Sequence, residues 1–204
     1  MKKDSLVYTV VFTFVVALAF VFVLALANDL TAARVADNKA FATQSAVLKA
    51  LGVDYADPDE ARRLFAELTL DAGDATGPAW KATIDGQSLV VVQETGAGLW
   101  GAITIMLAAR PDAGRVSGVA ILAQNETPGL GGRIEEAAFL DQFRGERSDG
   151  GIDVAVGAEL SGLGDPDPDN GRVDGVTGAS RTSVAFGTIV NAALARVRAI
   201  SGGL

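Results

Sequence analysis

Asp174-Gly175-Val176-Thr177-Gly178-Ala179-Ser180 sets small residues around hydroxyls just before a run that reads as a helix. A helix start presents unpaired backbone N–H groups and the positive end of the dipole, which favour an anion such as phosphate. Ser180 adds a nucleophilic oxygen in a setting slim enough for another molecule to reach. Four hydroxyls, Thr177, Ser180, Thr182 and Ser183, crowd this turn beside Arg181. Hydroxyls donate and a guanidinium neutralises, so their density suits a phosphate. Plain capping of the helix by Thr177 or Ser180, worth about 1 kcal/mol, is the structural alternative. Capping needs one hydroxyl, not four. Physical chemistry takes the stretch as far as a phosphate site.

The helix that follows has a clear period. Phe186, Val190, Ala193, Leu194, Val197 and Ile200 recur at intervals of three and four, and Ser201-Gly202-Gly203 ends the run. Upstream, the pattern from Trp80 is that of strands. Lys81–Ile84 and Leu89–Gln93 flank Asp85-Gly86, a hairpin signal. Ala102–Ala109 and Val116–Ala123 are further apolar runs, separated by Pro111, Asp112 and Gly114. Ile134–Phe143 reads as a helix and Ile152–Val156 as a short strand. Before the strands, Asn28–Gly52 and Pro58–Leu68 read as helices, the second capped by Asp57 or nearby acids. Helices, a mainly antiparallel sheet and a closing helix define an α+β domain.

The N-terminus is different in kind. Leu6–Ala27 carries no charge and consists mostly of Val, Phe, Leu and Ala. At about 1.5 Å per residue, such a helix spans the hydrocarbon core of a bilayer, roughly 30 Å thick. Ala25-Leu26-Ala27 has the small-x-small form of a cleavage site, but signal-peptide cores are shorter, about 7–15 residues. A retained anchor is the expectation. Lys2 and Lys3 precede the span, so the positive-inside rule keeps the N-terminus in the cytoplasm and the main domain outside. The expected division is a cytoplasmic N-terminus at 1–5, a transmembrane helix at 6–27, a helical connector at 28–75 and the folded domain at 76–204.

Composition narrows the chemistry. The chain of 204 residues has no cysteine, which removes disulfides, thiolate-held clusters and a cysteine nucleophile. It has no histidine, which removes the usual general base and the Ser-His-Asp triad. Any redox role therefore belongs to a cofactor. The net charge of −8 argues against nucleic acid as a partner.

Three further segments invite a site. Asp165-Pro-Asp167-Pro-Asp169-Asn170-Gly171 has the alternating carboxylates of a calcium loop, yet positions six and twelve hold Asn170 and Val176 instead of Gly and Glu. A solvated acidic turn is the better reading. Glu126-Thr127-Pro128-Gly129-Leu130-Gly131-Gly132 follows a strand, and its glycines permit close backbone approach. On composition it is equally an ordinary strand–helix turn. Gly98-Leu99-Trp100-Gly101 places a bulky pair between glycines, and a core Trp at a strand start is the ordinary explanation.

Taken together, these motifs point to one family. Asp174–Ser180 closely resembles the flavinylation motif of the FMN-binding domain family, and Glu126–Gly131 resembles that family's second hallmark at an appropriate spacing. The resemblance implies that Ser180 is esterified to the phosphate of FMN by a flavin transferase, with Thr182 as the fallback acceptor. It implies that Thr177, Gly178, Ala179 and Thr182 surround the phosphate, and that Asp174 belongs to the sequence the transferase reads. Glu126, Thr127, Pro128, Gly129, Leu130 and Gly131 would then lie along the isoalloxazine, with Leu99 and Trp100 nearby. The family usually carries threonine at the acceptor position; serine offers the same oxygen chemistry.

The implied function is that of a covalent-FMN electron carrier within a membrane ion-translocating oxidoreductase complex, in the lipid of the inner membrane beside other subunits. Gly98–Gly101 and the helix end at Gln44–Gly52 lean towards an NADH:quinone reductase, whereas Phe139–Gly145 is similar to the Rnf (ferredoxin:NAD) version. Rival readings are an anchored binding or sensing module with no redox cofactor and a stand-alone flavoprotein reductase.

Overall fold

A computed structural model describes residues 6–73, 75–157 and 164–202. The chain divides into two compact units, Met1–Phe41 and Ala42–Leu204. Helix α1 covers Leu6–Leu51, and its N-terminal part is long and apolar enough to cross a membrane. In the second unit, α2 (Pro58–Leu68) starts as expected: the Asp57 carboxylate accepts from the N–H groups of Asp59 and Glu60 at 2.9 and 2.8 Å.

Five antiparallel strands follow in chain order: β1 (Thr69–Asp71), β2 (Ala79–Ile84), β3 (Gln87–Ala97), β4 (Ala102–Ala109) and β5 (Val116–Ala123). Asp85 and Gly86 join β2 to β3 with positive φ at both positions, the primed turn that matches strand twist. Both faces of the sheet are covered. Val90, Val92, Ile103, Ile105 and Leu107 face α4 (Ser180–Ser201) and its Phe186, Val190 and Leu194. Val91, Met106 and Ala108, on the alternate positions, pack on Val47, Ala50 and Leu51 at the end of α1. This explains the continuous apolar runs Leu89–Val92 in β3 and Ile105–Ala109 in β4.

The helix expected over Ile134–Phe143 is broken. It consists of a 3-10 turn at Gly131–Glu135, a single α-turn at Ala137–Leu140, here α3, and a second 3-10 turn at Asp141–Phe143. Glu136 is extended and its side chain does not cap the turn that follows, so nothing local carries a helix through this position. Phe139, Phe143 and Phe186 instead hold the segment on α4, with ring centroids 5.2–5.5 Å apart. A parallel pair, β6 (Asp153–Ala155) and β7 (Arg172–Asp174), then delivers the chain to the start of α4.

Candidate functional site

Two glycine-bearing turns meet the start of α4 at one end of the sheet. The β3–β4 turn is tight, with the Gly98 N–H donating to the Gly101 carbonyl at 2.7 Å. Thr104 of β4 lies opposite Ala123 of β5, so the chain leaving β5 emerges beside that turn. The Thr127 carbonyl accepts from the N–H groups of Leu130 and Gly132 at 3.1 and 3.0 Å, which curls Thr127, Pro128, Gly129 and Leu130 into an exposed reverse turn.

Glu126 joins these parts. It is only 5% exposed; Oε1 accepts from the Trp100 N–H at 2.9 Å and Oε2 from the Thr182 hydroxyl at 2.7 Å. Burial pushes its carboxyl pKa up. Hydrogen bonds from the Trp100 N–H, the Thr182 hydroxyl and the N–H groups of Leu99 and Gly101 together outweigh burial and hold it below the ordinary carboxylate range. A Cβ at Gly98 would stand 2.5 Å from Oε1, and one at Gly131 would stand 2.7 Å from Oε2. These two glycines make room for the carboxylate. Gly129 and Gly178 are another matter: both have positive φ, and a Cβ at either would meet nothing within 4 Å.

The first turn of α4 divides its hydroxyls by use. Ala179 is the N-cap residue and supplies no side-chain bond, so neither Thr177 nor Ser180 caps the helix. Ser183 closes the turn from inside: its Oγ accepts from the Val176 N–H at 2.9 Å and donates to the Ala179 carbonyl at 3.0 Å. Thr182 is buried and committed to Glu126. Ser180 is half-buried and Thr177 exposed, and neither hydroxyl makes a hydrogen bond among the described residues. Arg181 is exposed and likewise forms no ion pair among them. The turn therefore offers two hydroxyls and a guanidinium at a helix N-terminus.

The expected residues do not all take the expected posture. Glu126 and Thr182 lie beneath the surface as a hydrogen-bonded pair, while Thr127 to Leu130 are exposed above them. Trp100 is no core residue: it is 72% exposed, because Glu126 draws its backbone inward while the indole projects out. Leu99, Leu130 and Val184 are also exposed, giving the site an apolar rim. Asp174 is buried at the end of β7, with its N–H and carbonyl gripped by the Gln142 side-chain amide at 2.8 and 3.1 Å. Gln142 also accepts from the Asp165 N–H at 2.9 Å, and Arg133 donates to the Thr177 carbonyl at 3.4 Å. Sequence reasoning missed Gln142 and Arg133, which left no local signal; Ser183 was counted among the crowded hydroxyls, but not as the one that closes the turn.

Known proteins resemble this chain in sequence and in fold. Residues 98–195 match the model of the FMN-binding domain. That match begins at the β3–β4 turn and takes in Glu126 and the start of α4. Curated relatives include the NqrC subunit of the Na(+)-translocating NADH-quinone reductase of Vibrio anguillarum, 36% identical over 97 residues, and that of Chlamydia pneumoniae, 33% identical over 102. The alignments cover 47% and 43% of this chain but only 37% and 32% of those relatives, so the chain spans about a third of their length. Among solved structures, the corresponding subunit of Parabacteroides distasonis superposes with a TM-score of 0.61 at 24% identity, covering 78% of this chain and 92% of that one. The Shewanella oneidensis protein NqrC gives 0.63 at 22%, covering 80% and 99%. These superpositions agree with the α+β fold, an antiparallel five-stranded sheet with flanking helices; an apolar helix precedes it in the chain.

Proposed function

We propose that this chain is the FMN-carrying redox subunit of a membrane sodium-translocating NADH:quinone reductase complex, with FMN esterified to Ser180. The observation that carries the reading is the division of hydroxyls on α4. Ser183 and Thr182 are engaged in internal bonds, while Ser180 is half-exposed and unengaged among the described residues. The match of residues 98–195 to the FMN-binding domain supplies the cofactor class.

The residues present fit that group. Ser180 would hold the phosphate as an ester, with the N–H groups of the α4 start, Thr177 and Arg181 answering its charge. Gly129 and Gly178 leave the approach open, and Leu99, Trp100 and Leu130 offer apolar surface for a flat ring. Bound FMN supplies electron transfer, which no side chain of a chain without His or Cys provides. The protein's own part is to fix the group, to orient it and to keep Glu126 charged beneath it.

Ester formation needs a flavin transferase and an FMN donor activated as a phosphoanhydride. The Ser180 Oγ–phosphorus bond forms, the anhydride P–O bond breaks with its electron pair on the leaving phosphate, and the hydroxyl proton passes to solvent. Residues 6–27 would anchor the chain in the inner membrane with the folded domain outside the cytoplasm, beside the other subunits and lipid. Producing the full chain with a flavin transferase tests the reading by fluorescence of the denatured band. A fluorescent wild type and a dark Ser180→Ala variant are expected; a dark wild type overturns it.

A further inference from the structure

We propose that Glu126 is the positioning residue of the attachment site: its buried carboxylate pins the Leu99–Trp100 turn to the first turn of α4, two residues from Ser180. The inference rests on the FMN reading for its consequence, but the pinning is a property of the chain alone.

Four observations converge on the side chain. Its two oxygens serve different elements, Oε1 the β3–β4 turn through Trp100 and Oε2 the helix through Thr182. Both donors are themselves held: Trp100 by a turn closed between Gly98 and Gly101, Thr182 by a position 1% exposed. Gly98 and Gly131, on opposite sides, leave space that a Cβ would take from the carboxylate oxygens. Its own N–H donates to the Gln124 side chain at 2.5 Å, which fixes the backbone from which it reaches.

A carboxylate is an expensive way to fill such a space unless its charge has a use. Burying one is tolerated only when several donors satisfy it, and here the donors are neutral N–H and O–H groups, with no Lys or Arg among the bonds the structure gives it. Glu126 therefore keeps its own negative charge between the Trp100 turn and the first turn of α4. Two effects follow for a flavin on Ser180. The apolar rim is held in one place instead of flexing with a hairpin tip, and a fixed negative charge nearby makes adding an electron harder. Thr182 is meanwhile committed as a donor, which removes it as a rival acceptor.

The full chain, produced with a flavin transferase in detergent, tests this with Glu126→Gln and Thr182→Val. Gln keeps the shape but loses the charge and turns one end into a donor facing a donor. Glu126→Gln is expected to carry FMN on Ser180, to exchange the amide hydrogens of Leu99, Trp100 and Gly101 at least tenfold faster, and to shift the FMN midpoint potential to more positive values. Thr182→Val is expected to speed the same amides while the potential moves less, since the charge stays. A Glu126→Gln protein with wild-type exchange and wild-type potential overturns the proposal. Should Glu126→Gln fail to accumulate folded, unchanged exchange at Leu99–Gly101 in Thr182→Val overturns it equally. A wild type without FMN defeats the functional reading, whereas the amide exchange arm still decides whether Glu126 pins the turn.

Discussion

Two polar turns lie close together in the chain, Asp165–Gly171 and Asp174–Ser183, and both look like ligand sites in sequence. The first is closed on itself. The Asp165 carboxylate accepts from the Asp167 N–H at 2.9 Å and the Asn170 amide at 2.8 Å, Asp167 accepts from the Asp169 N–H at 3.0 Å, and Asp169 pairs with Arg115. The second is open. Ser183 and Thr182 are engaged, but Thr177, Ser180 and Arg181 at the helix start have no such bond among the described residues. Density of polar residues is thus a poor guide to a site. What separates the two turns is how many of those groups the protein has already used.

The largest effect that sharpens the contrast concerns the open turn. Ser180→Ala is expected to abolish covalent flavin, at least a hundredfold below wild type by in-gel fluorescence, with Thr182 intact. Ser180→Thr is expected to retain it. Flavin on Thr182 in the alanine variant would break the contrast, since a committed hydroxyl would then have served as acceptor.

Next in size is Ser183, the hydroxyl that is used. Ser183→Ala leaves the Val176 N–H without its partner, and is expected to cost about 1–2 kcal/mol in thermal or urea unfolding. Flavin attachment at Ser180 should persist.

Two buried glutamates then give opposite pH signatures. Glu126 has a lowered pKa in the folded state, so its stabilisation is present above the unfolded carboxylate value and is lost as pH falls through the lowered one. Glu146, which accepts from the Gly171 N–H at 2.7 Å beneath the acidic turn, is raised, first by burial and also by the Asp165 charge, although the Gly171 and Arg172 N–H groups pull it back. Its contribution is present below the unfolded value and is lost as pH rises through the raised one. Glu146→Gln is therefore expected to raise stability at neutral pH, with the gain vanishing as pH falls below the ordinary carboxylate range. Urea titrations at several pH values measure both. The smallest effect is expected from Asp167→Ala, about 0.5 kcal/mol or less, because its one internal bond is solvent-exposed.

Periodicity and turn chemistry reveal much of this fold in the sequence. The α2 start at Asp57-Pro58, the Asp85-Gly86 hairpin and the closing helix are all set by local physics, and local patterns report them. Elements that tertiary contacts impose are not visible in that way. β1 and β7 are three residues each and exist because neighbours pair with them. The 131–143 segment has helical spacing but is broken at Glu136, and three phenylalanines hold it. At the site, the residue types around Ser180 were readable and their division of labour was not. Glu126 looked like a ligand contact and is a buried joint; Trp100 looked like core and is exposed. Both inversions come from one bond, Trp100 N–H to Glu126, between residues 26 apart.

Peptide mass mapping of the full chain after exposure to a flavin transferase is the most direct test of the central claim. FMN is expected on the peptide containing Ser180, with fragment ions placing it on that residue. FMN on Thr177 or Thr182, or an unmodified peptide under conditions that label a known acceptor, would contradict it.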